Sequence, residues 1–376
     1  MKNVFLSVIF AVVAFCFIGA GTQEKRPQDP QSPYPYHSED VKFVNEKAGI
    51  TLAGTLTFPK EGKDFPAVVL ISGSGPQNRN EEITVLNHRP FLVLSDYLTR
   101  NGIAVLRYDD RGVAESGGDY KTATLDDFAS DALSAVDYLK TRPEVNPAKI
   151  GLLGHSEGGT IAFMLAGDHP EIAYIVSMAG MAVNGDSLLR AQRYLIARAH
   201  GASDGAIAVN ELLIDRVTAL TGHHTTAYVM AHVDSLTTHL LNTEEELITR
   251  LLAMLPDSSV SREVFRATCK TGIMQVAMPE YRTLQKCDPS GALTKIHCPV
   301  FALNGEKDLQ VPADMNLDHI RALVKSALKT KKYPGLNHLF QHAETGSPNE
   351  YKVIEETISP EVLEDIAAWI RQRGQN

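Results

Sequence analysis

Three short stretches carry side chains whose types and spacing suit nucleophilic acyl transfer. Gly154-His155-Ser156-Glu157-Gly158 sets a serine between glycines, a pattern in which a sharp turn projects the hydroxyl from the end of a strand. A serine hydroxyl is a weak nucleophile near neutral pH, so it needs a general base beside it, and the base needs an acid to orient it. Downstream, Asn304-Gly305-Glu306-Lys307-Asp308 offers the acid and Gly335-Leu336-Asn337-His338 the base. The order serine, acid, histidine suits a sheet whose last strands deliver the second and third partners.

Within these stretches the assignments are Ser156 as nucleophile, Asp308 as acid and His338 as base. Glu306 is the rival carboxylate in the same turn, and His342 reads as a surface histidine. Acyl transfer also needs N–H donors for the developing oxyanion, each worth about 3 kcal/mol in the transition state. The N–H of Glu157 follows the nucleophile directly. The second donor is expected from Ser72-Gly73-Ser74-Gly75, where we assign Ser74, with Gly75 as the alternative. That loop resembles a phosphate-binding Gly-x-Gly-x-x-Gly, but Asn78 stands where the third glycine belongs.

The elements around these residues alternate. Apolar or alternating runs at 41–45, 50–58, 67–72, 103–108, 150–153, 172–178, 299–303 and 331–333 read as strands. Helical spacing appears near 91–100, 124–141, 160–167, 316–328 and 359–371, and Thr124 with Asp127 forms a capping-box pattern. Strands alternating with helices imply a parallel sheet with right-handed crossovers, hence an α/β protein. Alternation stops for about 110 residues after Gly180, where 188–252 reads as several amphipathic helices broken at Gly201, Gly205, Gly222 and Asn242. An all-helical insertion in such a series is expected to cap the ends of the sheet. The domains expected are a signal peptide at 1–21, an extended leader at 22–40, a core at 41–182 and 293–376, and a helical cap at 183–292.

The targeting signal rests on Lys2 before an apolar run at 4–18 and the small residues Gly19, Ala20 and Gly21. About 15 apolar residues suit a signal core, whereas a membrane span needs about 20. Export to the periplasm or medium is expected, without stable membrane insertion once the signal is removed. The leader is rich in proline, glutamine and charge and buries little. A formal charge of -9 argues against nucleic-acid binding. Beyond the signal only Cys269, Cys287 and Cys298 remain, which allows one internal disulfide at most. His223, His224, His232 and His239 lack the carboxylate spacing of a metal site.

The stretches ISGSGPQNRNE, RYDDRGVAESGG, GLLGHSEGG, CPVFALNGEKDLQVP and GLNHLFQ resemble the α/β-hydrolase superfamily, specifically exported bacterial serine hydrolases with a helical cap from the serine aminopeptidase and esterase branch. The resemblance spans nearly the whole mature chain. It implies a mostly parallel eight-stranded sheet with helices on both faces, a triad of Ser156, Asp308 and His338, and no cofactor. The loop at 72–74 departs from the His-Gly-x of many relatives, and Asp109, Asp110 and Arg111 match a stretch that braces the site. The expected substrates are small carboxylic esters. The alternatives are short peptides, with Glu244, Glu245 and Glu246 as a candidate pocket for a substrate amine, or a non-catalytic binding module on the same scaffold.

Overall fold

The structure is a computed structural model and describes residues 26–83, 86–254 and 261–374. The expected signal segment and the first residues of the leader lie outside this range. Chain contacts divide the protein into two compact units, one at Gly185–Cys287 and one made of the remaining described residues.

The larger unit holds all eight strands: β1 (Tyr36–Asn45), β2 (Ile50–Pro59), β3 (Phe65–Ile71), β4 (Ala104–Tyr108), β5 (Val145–His155), β6 (Ile175–Met178), β7 (Val300–Gly305) and β8 (Leu328–Tyr333). They form one sheet in the order β1-β2-β4-β3-β5-β6-β7-β8. Only the β1–β2 and β2–β4 pairings are antiparallel; from β4 to β8 every neighbour is parallel. The interior strands are continuous apolar runs because a parallel sheet covered by helices leaves no face for polar side chains. Val68, Val69, Ala104, Val105, Leu152, Ile175, Val300 and Phe301 are accordingly fully buried. Each large aliphatic side chain among them contributes about 1.5–3 kcal/mol by leaving water.

Helices α1 (Pro90–Arg100), α2 (Leu125–Lys140) and α3 (Glu157–Asp168) alternate with the strands in this unit. Helix α2 begins at the expected capping box, where Thr124 and Asp127 satisfy each other's backbone N–H groups. The smaller unit comprises α4 (Gly185–Ala199), α5 (Asp204–Gly222), α6 (Thr226–Thr243), α7 (Glu245–Met254), α8 (Arg262–Val276) and α9 (Pro279–Lys286). Helices α10 (Ser290–Leu293), α11 (Ala313–Leu323) and α12 (Pro360–Gly374) return to the sheet unit.

Several boundaries differ from the sequence reading. Gly205 lies inside the first turn of α5 and Asn242 inside the last turn of α6, so neither breaks a helix. Tertiary packing overrides the weak local preference of one glycine or asparagine. Strand β8 starts at Leu328, where the expected helix was extended too far. The leader is the largest departure. Strand β1 already begins at Tyr36, and the residues before it are tied to the sheet unit. The Arg26 guanidinium donates to the carbonyls of Leu86, Asn87 and Ile354. The Gln28 side chain brackets the backbone of Thr357 and Ile358, and Asp29 pairs with Arg89. Polar composition hid this docking, which uses hydrogen bonds rather than apolar area. The three cysteines in the described range are free thiols.

Candidate active site

All six strands from β4 to β8 run in one direction, so the loops that follow them emerge at one edge of the sheet. The loops after β3, β4, β5, β7 and β8 hold residues 72–81, 109–111, 156, 308 and 338 respectively. In open parallel sheets this carboxyl edge is where ligand sites form.

Ser156 sits between β5 and α3 with φ 53° and ψ −119°, a conformation that costs a non-glycine residue about 1–3 kcal/mol. The flanking glycines make the turn sterically accessible. A Cβ on Gly154 would fall 2.0 Å from the Gly158 carbonyl oxygen, and one on Gly158 2.0 Å from that of Ile71. The elbow is held further by the Ser156 N–H, which donates to the Met178 carbonyl at 2.8 Å. Glu157 is the first residue of α3, where backbone N–H groups have no intrahelical acceptor.

The loop after β3 lies against the elbow. A Cβ on Gly73 would come 3.2 Å from Cβ of Ser156, a tight contact that glycine avoids. Asp110 braces the loop, accepting from the Ser72 hydroxyl at 2.8 Å and the Gln77 N–H at 2.9 Å. Gly73 N–H donates to the buried Glu81 carboxylate at 2.8 Å.

Asp308 and His338 meet directly. The imidazole Nδ1 lies 2.8 Å from Asp308 Oδ2, and both side chains are buried. Because the carboxylate only accepts, Nδ1 carries the proton, which leaves the Nε2 lone pair free in the neutral ring. The other Asp308 oxygen accepts from the N–H groups of Gln310 and Val311, each at 2.8 Å. Asn304 adds a longer contact at 3.3 Å. Asp308 is thus held by three neighbours while its rival Glu306 accepts from the Gly335 N–H in an exposed turn. His342 pairs with Glu356 at the surface, 2.9 Å away.

The segment carrying His338 is wound around Asn337, whose side-chain oxygen accepts from the N–H groups of Leu339 and Gln341 at 3.0 Å each. On the other side, His155 Nε2 lies 3.1 Å from the His338 carbonyl oxygen, with ring centroids 4.8 Å apart. The neighbour of Ser156 in sequence therefore touches the residue proposed as base. Asn304, Glu81, His155 and Asn337 escaped the sequence reading as functional positions. Their only signal was membership of the five recognised stretches.

Asp109 and Arg111 make ion pairs to residues outside this stretch. Asp109 pairs with Arg79 at 2.6 Å, and Arg111 grips Asp131 through two nitrogens at 2.7 and 2.9 Å. Among the described residues no group of three or more His, Cys, Asp or Glu side chains is placed to hold a metal ion. No helix among them is long and apolar enough to cross a membrane.

This strand order, with a serine at a strained strand-to-helix turn, defines an α/β hydrolase. The serine aminopeptidase family S33 matches residues 89–223. Esterase EstD of Thermotoga maritima is 26% identical over 362 residues, which cover 96% of this chain and 73% of that protein. An acyl transferase of Shewanella woodyi is 28% identical, but only across 40% of this chain and 46% of its own length. Among solved structures, the α/β hydrolase GrgF from Penicillium sp. sh18 superposes with a TM-score of 0.54 at 17% identity, covering 90% of this chain and 100% of that one. The chain belongs to the α/β-hydrolase superfamily and is a hydrolase.

Proposed function

We propose that the protein is an exported serine hydrolase that cleaves small carboxylic esters through an acyl-enzyme. Ser156 Oγ attacks the ester carbonyl while His338 Nε2 takes its proton. The N–H groups of Ser74 and Glu157 hold the oxyanion. As the tetrahedral intermediate collapses, His338 returns the proton to the leaving alcohol. Water, deprotonated by the same imidazole, then releases the acid and regenerates Ser156. Asp308 keeps Nδ1 protonated and stabilises the imidazolium that forms in each half-reaction.

The observation that carries the reading is the 2.8 Å contact between His338 Nδ1 and Asp308 Oδ2 on adjacent sheet-edge loops. Support for an ester substrate comes from the esterase-named relative, whose similarity spans 96% of this chain. Replacing Ser156 with alanine in the mature protein is expected to abolish hydrolysis of a short p-nitrophenyl ester. Turnover at the wild-type rate would refute the reading.

A peptide substrate is the second reading, favoured by the family match at residues 89–223. Two members of the acidic run proposed to hold a substrate amine face arginines of this chain. Glu244 ends α6 and lies 3.5 Å from Arg216, while the exposed Glu245 opens α7 and lies 3.7 Å from Arg262. Such solvated helix-end charges make a poor amine pocket. Turnover of an aminoacyl-naphthylamide faster than a p-nitrophenyl ester would reverse the preference.

A further inference from the structure

Glu81 takes no part in the proposed reaction, yet it contacts both sides of the site. It is 4% exposed and adopts φ 50°, a left-handed conformation that a glutamate holds only when its surroundings impose it. A single oxygen, Oε1, accepts from the Gly73 N–H at 2.8 Å and faces His155 Nδ1 at 2.8 Å. The far side of that ring, Nε2, faces the His338 carbonyl oxygen at 3.1 Å. With Glu81 ionised, both partners are acceptors and the ring donates from both nitrogens, which makes His155 an imidazolium.

The surroundings favour this charge state. Burial works against the imidazolium, but the charge and hydrogen bond of Glu81, the His338 carbonyl and the more distant Asp308 outweigh it, and the His155 pKa is raised. A small void bounded by Phe91, Leu94, Met178 and Leu339 adjoins the pair. Burial of both side chains strengthens the attraction across 2.8 Å.

We propose that Glu81 is a positioning residue: through the His155 imidazolium it ties the loop bearing Gly73 and Ser74 to the peptide unit of His338, fixing the oxyanion donors relative to the general base. This inference rests on the serine-hydrolase reading above. The bond to Gly73 N–H sets one end of the tie and the bond from His155 to the His338 carbonyl sets the other. In Glu81→Gln the amide oxygen still accepts from Gly73 and from a neutral His155. Without the neighbouring negative charge, however, the buried ring gives up its Nε2 proton. A lone pair then opposes the His338 carbonyl, and the histidine loop is released while the glycine loop stays. In Glu81→Asp the charge survives on a side chain one methylene shorter, so the ring keeps both protons.

The test combines kinetics with histidine 15N NMR on the full mature chain. Wild-type protein is treated with a fluorophosphonate probe and assayed with a p-nitrophenyl ester; Glu81→Gln and Glu81→Asp, verified as folded by circular dichroism, are treated alike. The expected result is a fall of about 10–100-fold in kcat and in the rate of Ser156 labelling for Glu81→Gln, the scale of a small misplacement of reacting groups. KM is expected to stay within about 3-fold and Glu81→Asp to recover part of kcat, a split that loss of fold alone would not give. In the unmutated protein at pH 7.5, NMR is expected to show His155 protonated at both ring nitrogens, assigned by the signal missing from His155→Gln. Folded Glu81→Gln with wild-type kcat and labelling rate would overturn the inference while leaving the serine-hydrolase reading intact. A neutral His155 in the unmutated protein would overturn it even if Glu81→Gln did not fold. No labelling of Ser156 in wild-type protein would remove the catalytic reading and the inference with it.

Discussion

Asp308 and His338 come from loops after two neighbouring strands, β7 and β8, and meet at 2.8 Å between Oδ2 and Nδ1. The carboxylate is set by two backbone N–H groups and the backbone around His338 by the Asn337-centred turn, while the imidazole itself is oriented by Asp308. A single substitution of that carboxylate therefore tests the arrangement.

Replacing Asp308 with asparagine keeps the size of the side chain but offers His338 Nδ1 an amide. The ring can then take the wrong tautomer, with its proton on Nε2. We expect kcat for a p-nitrophenyl ester to fall about 10³–10⁴-fold with little change in KM. A decrease below about 10-fold would show that Asp308 does not set the tautomer.

The elbow glycines make a packing prediction. A methyl group at Gly154 would meet the Gly158 carbonyl at 2.0 Å, a backbone atom that cannot rotate away. Gly154→Ala is expected to cost stability at or above the upper end of the roughly 1–3 kcal/mol typical of overpacking. Chemical denaturation measures this directly, and an unchanged midpoint would mean that the elbow is looser than its geometry indicates.

Buried charge pairing is tested at Arg111, which grips the buried Asp131 and also reaches Asp127. Removing the guanidinium strands a carboxylate in the interior. Arg111→Ala is expected to lose about 3–5 kcal/mol by urea unfolding. Arg111→Ala with Asp131→Ala should lose less than the sum of the two single changes.

The His155 pKa is raised above the ordinary imidazole value of 6.5 in the folded chain. A group of this kind contributes stability that is complete below about pH 6.5 and fades as pH rises through the folded value. The groups facing the ring are Glu81, the His338 peptide and the His338 imidazole, whose ring centroid is 4.8 Å away, with Asp308 farther off. The melting temperature is therefore expected to decline as pH is taken upward from neutral, and Glu81→Gln to flatten that decline. Equal slopes for both proteins would contradict the assignment.

The scaffold was legible in the sequence because buried parallel strands leave a plain trace. Runs such as 67–71 and 300–303 are apolar at every position, and the turns after them carry Gly, Ser, Asn and Asp. The five stretches that resembled a known superfamily also contained every residue used in the proposed reaction. What stayed hidden was long-range polar pairing. Nothing in the spacing of Glu81 and His155, 74 positions apart, announces their contact, and nothing in the leader's polar composition announces that Arg26 and Gln28 grip segments more than 300 residues away. The partners of Asp109 and Arg111 were hidden for the same reason, since they reach Arg79 and Asp131 elsewhere in the chain.

The catalytic reading is tested most directly by intact-mass and peptide mapping of the folded mature protein after fluorophosphonate treatment, followed in step with esterase activity. The predicted result is one adduct per chain, located on Ser156, with activity lost in proportion to its formation and no adduct on Ser156→Ala. Full ester turnover by that variant, or a modified protein that keeps its activity, would contradict the assignment of Ser156 as the nucleophile.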